Sequence, residues 1–68
     1  MTTINFKKDN LKFWDACKKR IEYLGADHKM KRYLIIINHL IASDVLNGDI
    51  YLELFIDNLV INDMVVLK

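Results

Sequence analysis

The sequence predicts a small, mainly α-helical fold, and two observations carry the prediction. The chain of 68 residues has no proline, and its two glycines, Gly25 and Gly48, divide it into three pieces of similar length. Apolar residues recur at helical spacing along the first two pieces, and glycine suits the left-handed position just past a helix end. We therefore expect residues 1–68 to form a single domain, in which a helical hairpin is followed by a third, C-terminal element.

The first helix is expected over about residues 5–24. When the residues are placed at 100° per residue, six apolar side chains fall on one arc about 100° wide. They are Phe6, Phe13, Trp14, Cys17, Ile21 and Leu24. Lys8, Lys12 and Lys19 lie on the opposite side. This segment is predicted to be an amphipathic helix that turns its apolar face toward the core.

The second helix is expected over about residues 28–46 and is more apolar. Tyr33, Ile37 and Ile41 lie at the centre of a broad apolar stripe, which is typical of a helix that contacts neighbours on two sides. The apolar run 34–37 also fits a buried strand, but the length of the segment favours a helix. An aspartate follows each glycine closely, and Asp27 and Asp49 are therefore expected to cap the following elements.

The third element is expected over about residues 49–67, and two interpretations remain open. As a helix, it places Leu52, Phe55, Ile56 and Leu59 on one face. A second stripe, of Ile50, Leu54 and Ile61, is then left for a partner. As strands, residues 50–56 alternate in polarity, and Asn62-Asp63 forms the turn of a short β-hairpin, which would make the fold α+β. We prefer the helix.

Composition bears on the class of protein. Hydrophobic residues make up 53% of the chain, above the roughly 45–50% of a typical soluble protein, and a chain this small has little interior to hold them. We therefore expect self-association, as a homodimer, or a protein partner. The single cysteine, Cys17, excludes an internal disulfide and fits a cytoplasmic protein. The apolar stretch 33–46 is interrupted by polar residues and is too short to span a membrane.

No catalytic, cofactor-binding or metal site is predicted. Cys17, His28 and His39 are spaced eleven residues apart, but two histidines three helical turns apart stand about 16 Å from each other. That distance is too large for one metal ion to bridge. Asp44, Asp49 and Glu53 surround the second turn and are expected to be solvated or structural. We therefore expect the protein not to be an enzyme.

Charge is divided unevenly between the two halves. Residues 1–34 carry nine cations and four acids, whereas residues 35–68 carry one cation and five acids. Six cations flank the turn at Gly25 and are here named the basic cluster: Lys18, Lys19, Arg20, Lys29, Lys31 and Arg32. Cations in the first turn of a helix oppose its dipole, which favours a partner-binding role for the cluster. In the alternative interpretation, Asp57 and Asp63 of the third element neutralise it.

These features favour a non-enzymatic protein-binding module, a small regulator or inhibitor that docks an acidic protein surface. Ile, Asn and Lys supply 23 residues and Arg only two, a bias toward A/T-rich codons that fits a bacterial or phage gene. The first alternative is a nucleic-acid-binding protein that uses the basic cluster. It is less favoured because the pI of 7.9 is below that of most such proteins. The second alternative is a structural subunit that assembles with itself.

Overall fold

Three α-helices and one two-stranded antiparallel sheet make up the fold. The computed structural model describes the backbone of residues 2–66 and the side chains of residues 2–63. Its elements in chain order are β1 (Thr3–Asn5), α1 (Asn10–Tyr23), a short 3-10 helix (Asp27–Lys29), α2 (Met30–Ala42), β2 (Asp49–Tyr51) and α3 (Leu52–Val66). The prediction of a mainly helical fold with a helical third element is confirmed. The expected end of that element at residue 67 lies outside the described residues.

The first helix begins at Asn10, five residues later than the sequence pattern indicated. Asn5 is the reason, because its side-chain Oδ1 accepts hydrogen bonds from the backbone N–H groups of Lys7 (3.0 Å) and Lys8 (3.1 Å). Side chains of this type compete with the helix for backbone donors and favour turns. The chain before α1 therefore forms β1 and a turn instead of a first helical turn.

The sheet joins the two distant segments β1 and β2. Ile4 pairs with Ile50 at its centre, and both side chains are buried. The Nδ2 group of Asn5 also donates to Oδ1 of Asp49 at 2.9 Å. Asp49 is thus a strand residue, and its predicted role as a helix cap is wrong. The β-hairpin around Asn62-Asp63 is also wrong, because both residues lie within α3.

The turn after α1 follows the predicted glycine chemistry. Gly25 has a φ of 77°, and its N–H donates to the carbonyl of Glu22, while the N–H of Ala26 donates to the carbonyl of Ile21. These two bonds form a Schellman motif, which closes a helix through a left-handed residue. The hairpin between α1 and α2 therefore turns where the sequence predicted.

The second helix ends earlier than predicted, at Ala42. Asp44 takes the left-handed conformation with a φ of 61°, and its N–H donates to the carbonyl of Ile41, while the N–H of Val45 donates to that of Leu40. Aspartate is one of the few residues besides glycine that tolerate this conformation. Asp44 therefore ends α2 by the same motif that glycine was expected to supply at Gly48.

The hydrophobic core draws side chains from all three α-helices and both strands. Its buried members are Ile4, Phe6, Phe13, Cys17, Ile21, Ala26, Tyr33, Ile37, Ile50, Leu52, Ile56 and Val60. Phe13 lies against Phe6 and Trp14, with ring centroids 5.8 and 5.3 Å apart. Because α3 contributes Leu52, Ile56 and Val60, one face of this apolar helix is buried in the core, and the opposite face points to solvent.

Candidate functional site

Arg20 of the basic cluster is held by α3. Its Nε and Nη2 atoms donate to the two carboxylate oxygens of Asp57, at 2.8 and 2.7 Å. This bidentate arrangement is the strong form of an ion pair. The hydrogen bonds raise the pKa of Arg20 and lower the pKa of Asp57. The guanidinium also lies 4.8 Å from the ring centroid of Tyr23, so Arg20 is fixed on two sides.

Asp63 of α3 forms a second anchor for the basic cluster. Its carboxylate is buried and accepts a hydrogen bond from the hydroxyl of Tyr33 at 2.9 Å. Arg32 lies 3.0 Å from it, and Lys29 lies 3.7 Å away. Burial and this hydrogen bond raise the pKa of Tyr33. Asp63 therefore places a negative charge beside the start of α2, where the helix dipole favours one.

The remaining three cations of the basic cluster are exposed. Lys19 pairs with Asp15 at 3.1 Å across one turn of α1, an exposed contact of the kind that contributes little. Among the side chains of residues 2–63, Lys18 and Lys31 form no ion pair. The alternative of internal neutralisation therefore holds for Arg20, Lys29 and Arg32, and the cluster leaves two lysines available.

Stability is expected to fall in acid through the carboxylates of α3. Hydrogen bonds from Arg20 to Asp57 and from Thr2 to Glu53 hold the pKa of each carboxyl below its ordinary value of 3.8 or 4.5. A lowered native pKa stabilises the fold above the ordinary value, and this contribution is lost as the pH falls through the native value. Urea unfolding between about pH 2 and 6 measures it.

The variant Asp57→Asn should flatten this pH dependence, because it removes one of the titrating groups. Asp15→Asn is the matched control, since its exposed pair with Lys19 is expected to contribute little. An Asp57→Asn profile as steep as that of the native chain would contradict the assignment.

The cysteine and the histidines do not come together. Cys17 is fully buried, and desolvation raises the pKa of its thiol from 9.0 to about 12, so the thiolate nucleophile is not formed at neutral pH. His28 and His39 are exposed. No group of three potential metal ligands occurs among the described residues. Of the acids near the second turn, Asp44 and Asp49 are exposed, and Glu53 accepts from the N–H of Thr2 at 2.9 and 3.0 Å.

A small depression lies beside the basic cluster at the turn between α1 and α2. Its volume is about 150 Å³, below the roughly 300–1,000 Å³ of most small-molecule sites. It is lined by Leu24, Gly25, Ala26, His28, Lys29 and Tyr33. The Tyr33 hydroxyl and the Lys29 ammonium already face Asp63. The depression therefore offers few polar groups for a ligand.

Large apolar side chains remain exposed on all three helices. They include Leu11 and Tyr23 of α1, Ile35 of α2, and Leu54 and Ile61 of α3. Of the three residues predicted to form a second stripe on the third element, Leu54 and Ile61 are exposed, whereas Ile50 is buried in the sheet. A protein of this size exposes single apolar residues without consequence, but paired positions on one helix face are candidates for an interface.

Two contacts of this region were missed by the sequence analysis. The Tyr33–Asp63 hydrogen bond could have been suspected from Asp63, because an aspartate within an apolar helix indicates a buried hydrogen-bond partner, but nothing in the sequence singles out Tyr33 as that partner. The contact between Thr2 and Glu53 carries no sequence pattern, because it depends on how the sheet places the amino-terminal segment.

Within the part of the chain that the structure describes, no helix has the length and apolar character needed to cross a membrane. No protein-family model, curated protein or solved structure matches the chain.

Proposed function

We propose that this chain is a non-enzymatic protein-binding module, a small regulator or inhibitor that docks an acidic protein surface through α2. The observation that carries the proposal is a row of exposed residues one turn apart on that helix, Lys31, Ile35 and His39, here named the α2 row. An apolar centre between polar or charged neighbours is the common layout of a protein interface. Lys18 of α1, which also forms no ion pair with the side chains of residues 2–63, adds a second cation at the same end of the hairpin.

The pairing inside the basic cluster supports a protein over a nucleic acid as the partner. Arg20 and Arg32, the two residues best suited to phosphate recognition, are engaged by Asp57 and Asp63. Binding nucleic acid with both guanidiniums would require these contacts to break. Lys18 and Lys31 alone give few phosphate contacts, whereas Lys31, one turn from Ile35 on α2, suits a mixed apolar and acidic protein surface.

Affinity capture from the source cells, followed by binding measurements with the purified partner, tests the proposal. Lys18→Glu/Lys31→Glu is expected to weaken binding about tenfold or more, because it reverses the charge that faces the acidic surface. Lys7→Glu/Lys8→Glu is the matched control, since it changes the net charge equally at two exposed lysines before α1 and should bind as the native chain does.

Two results would contradict the proposal. An equal loss of binding in both double variants would indicate a response to net charge alone. A gel shift with duplex DNA or with RNA that weakens steeply with salt, and is lost in Lys18→Glu/Lys31→Glu, would favour the nucleic-acid alternative.

A further inference from the structure

Helix α3 is apolar on two opposite sides, and only one of them is used within the chain. Leu52, Ile56 and Val60 are buried in the core. On the outer side lie Leu54, Asn58 and Ile61, one turn apart and exposed, here named the outer stripe. A helix that is apolar around most of its circumference is normally buried on all of those sides. The outer stripe is therefore a candidate for an interface.

The charges beside the outer stripe are already balanced. Asp57, one helical turn from both Leu54 and Ile61, accepts hydrogen bonds from Nε and Nη2 of Arg20, and the three residues of the stripe are neutral. A strongly charged partner would therefore find no unpaired opposite charge on the stripe. A surface that carries its own balanced pair of charges suits a partner with the same arrangement.

We propose that α3 packs antiparallel against α3 of a second copy of this chain, around a two-fold axis that passes between Asp57 and Asn58. The midpoint of the outer stripe falls there, so this register sets Leu54 against Ile61 of the partner subunit. Such an isologous contact uses the same patch twice. This contact through α3 is separate from the partner surface proposed above, which uses the α2 row.

The chemistry at the axis is complementary to itself. The Asn58 amide holds both donors and an acceptor, so it can bond to Asn58 of the partner subunit without leaving a polar atom unpaired. A two-fold axis between antiparallel helices keeps the same flank of each on the same side. The Arg20–Asp57 pairs of the two copies then lie on the same side of the interface, where each Asp57 charge is balanced by its own Arg20.

The small size of the outer stripe predicts a weak, reversible dimer. A stable interface buries about 800 Å² per partner, which is roughly a sixth of the 4771 Å² of accessible surface. Helix α3 has 15 residues and is about 22 Å long. Tyr23, stacked on Arg20, extends the apolar area beside Asp57. Association should therefore depend on protein concentration.

Sedimentation across a concentration series of about hundredfold tests the proposal. The native chain should pass from monomer to dimer, and Ile61→Gln should weaken the dimer about tenfold or more, because each contact is lost twice. Ile35→Gln is the matched control, since the two isoleucines are 58% (Ile35) and 57% (Ile61) exposed. A native chain that stays monomeric, or an equal loss in both variants, would overturn the proposal.

Charge substitutions at Asn58 test the two-fold axis itself. Asn58→Glu and Asn58→Lys should each be monomeric where the native chain is dimeric, because like charges meet at the axis. An equal mixture of the two should dimerise again through the opposite charges. Circular dichroism shows whether each variant is folded. Mixing the two variants restores the dimer only if residue 58 of one copy faces residue 58 of the other. Two folded variants that stay dimeric alone, or a mixture that stays monomeric, would refute the proposed axis.

The dimer and the proposed partner surface can fail independently. Ile61→Gln should retain partner binding, and Lys18→Glu/Lys31→Glu should retain the dimer, because the two surfaces lie on different helices. Loss of both properties in either variant would refute this separation.

Discussion

Replacing Asp63 with alanine is expected to lower the free energy of unfolding by about 2–3 kcal/mol. The buried hydroxyl of Tyr33 donates to this carboxylate and would lose its only hydrogen-bond partner among the described residues. Lys29 and Arg32 would lose their counter-charge, but both are partly exposed, so water compensates much of that loss. Chemical denaturation of the native chain and the variant measures the difference.

A double-mutant cycle separates the contribution of the Tyr33 hydroxyl to stability from the contribution of the charges around Asp63. In Tyr33→Phe/Asp63→Ala no buried hydroxyl is left unpaired, so the double variant should be more stable than the sum of the single losses predicts. Asp15→Ala is the control, because it removes an aspartate whose pair with Lys19 is exposed, and it should change stability by less than about 0.5 kcal/mol. Additive effects of Tyr33→Phe and Asp63→Ala would contradict the coupling.

Replacing Phe13 with alanine is expected to cost about 3–5 kcal/mol. The ring is fully buried and packs between Phe6 and Trp14. Its loss therefore leaves a cavity between α1 and the segment after β1. A chain of 68 residues has a total stability of roughly 3–10 kcal/mol. The variant should therefore be largely unfolded at moderate temperature, as thermal unfolding followed by circular dichroism would measure.

Leu11→Ala supplies the comparison within the same helix. Leu11 is 86% exposed, so its truncation should change stability by less than about 0.5 kcal/mol. A Phe13→Ala variant that unfolds at the same temperature as Leu11→Ala would contradict the description of the core.

The helices could be predicted from the sequence because their determinants are local. The spacing of Phe13, Cys17 and Ile21 defines the buried face of α1, and all three side chains are fully buried. Gly25 closes α1 because it alone adopts the left-handed conformation without cost at that position. For the third element the same periodicity, which places Leu52 and Ile56 on one face, favoured a helix, but the alternation of residues 50–56 also fitted strands, and the structure shows the helix α3.

The strands and helix ends could not be predicted in the same way. The pattern extended α1 back to residue 5, but the Asn5 side chain bonds the turn at residues 7 and 8 and the adjoining strand pairs with β2. The predicted cap at Asp49 became a strand residue for the same reason. Asp44 displaced Gly48 as the end of α2, because tolerance of the left-handed conformation is shared by aspartate and glycine.

The sequence by itself determined the two helices of the hairpin, the turn at Gly25 and the segregation of charge, and it favoured a helix for the third element while strands still fitted the pattern. Only the tertiary structure decided what the basic cluster does inside the molecule, since its pairing depends on α3 returning beside both helices of the hairpin. That return brings Asp57 to Arg20 and Asp63 to Tyr33, residues separated by 37 and 30 positions in the chain. Periodicity reports which side of a helix is apolar, but the partner of a charged side chain is set by packing between elements, which no local pattern records.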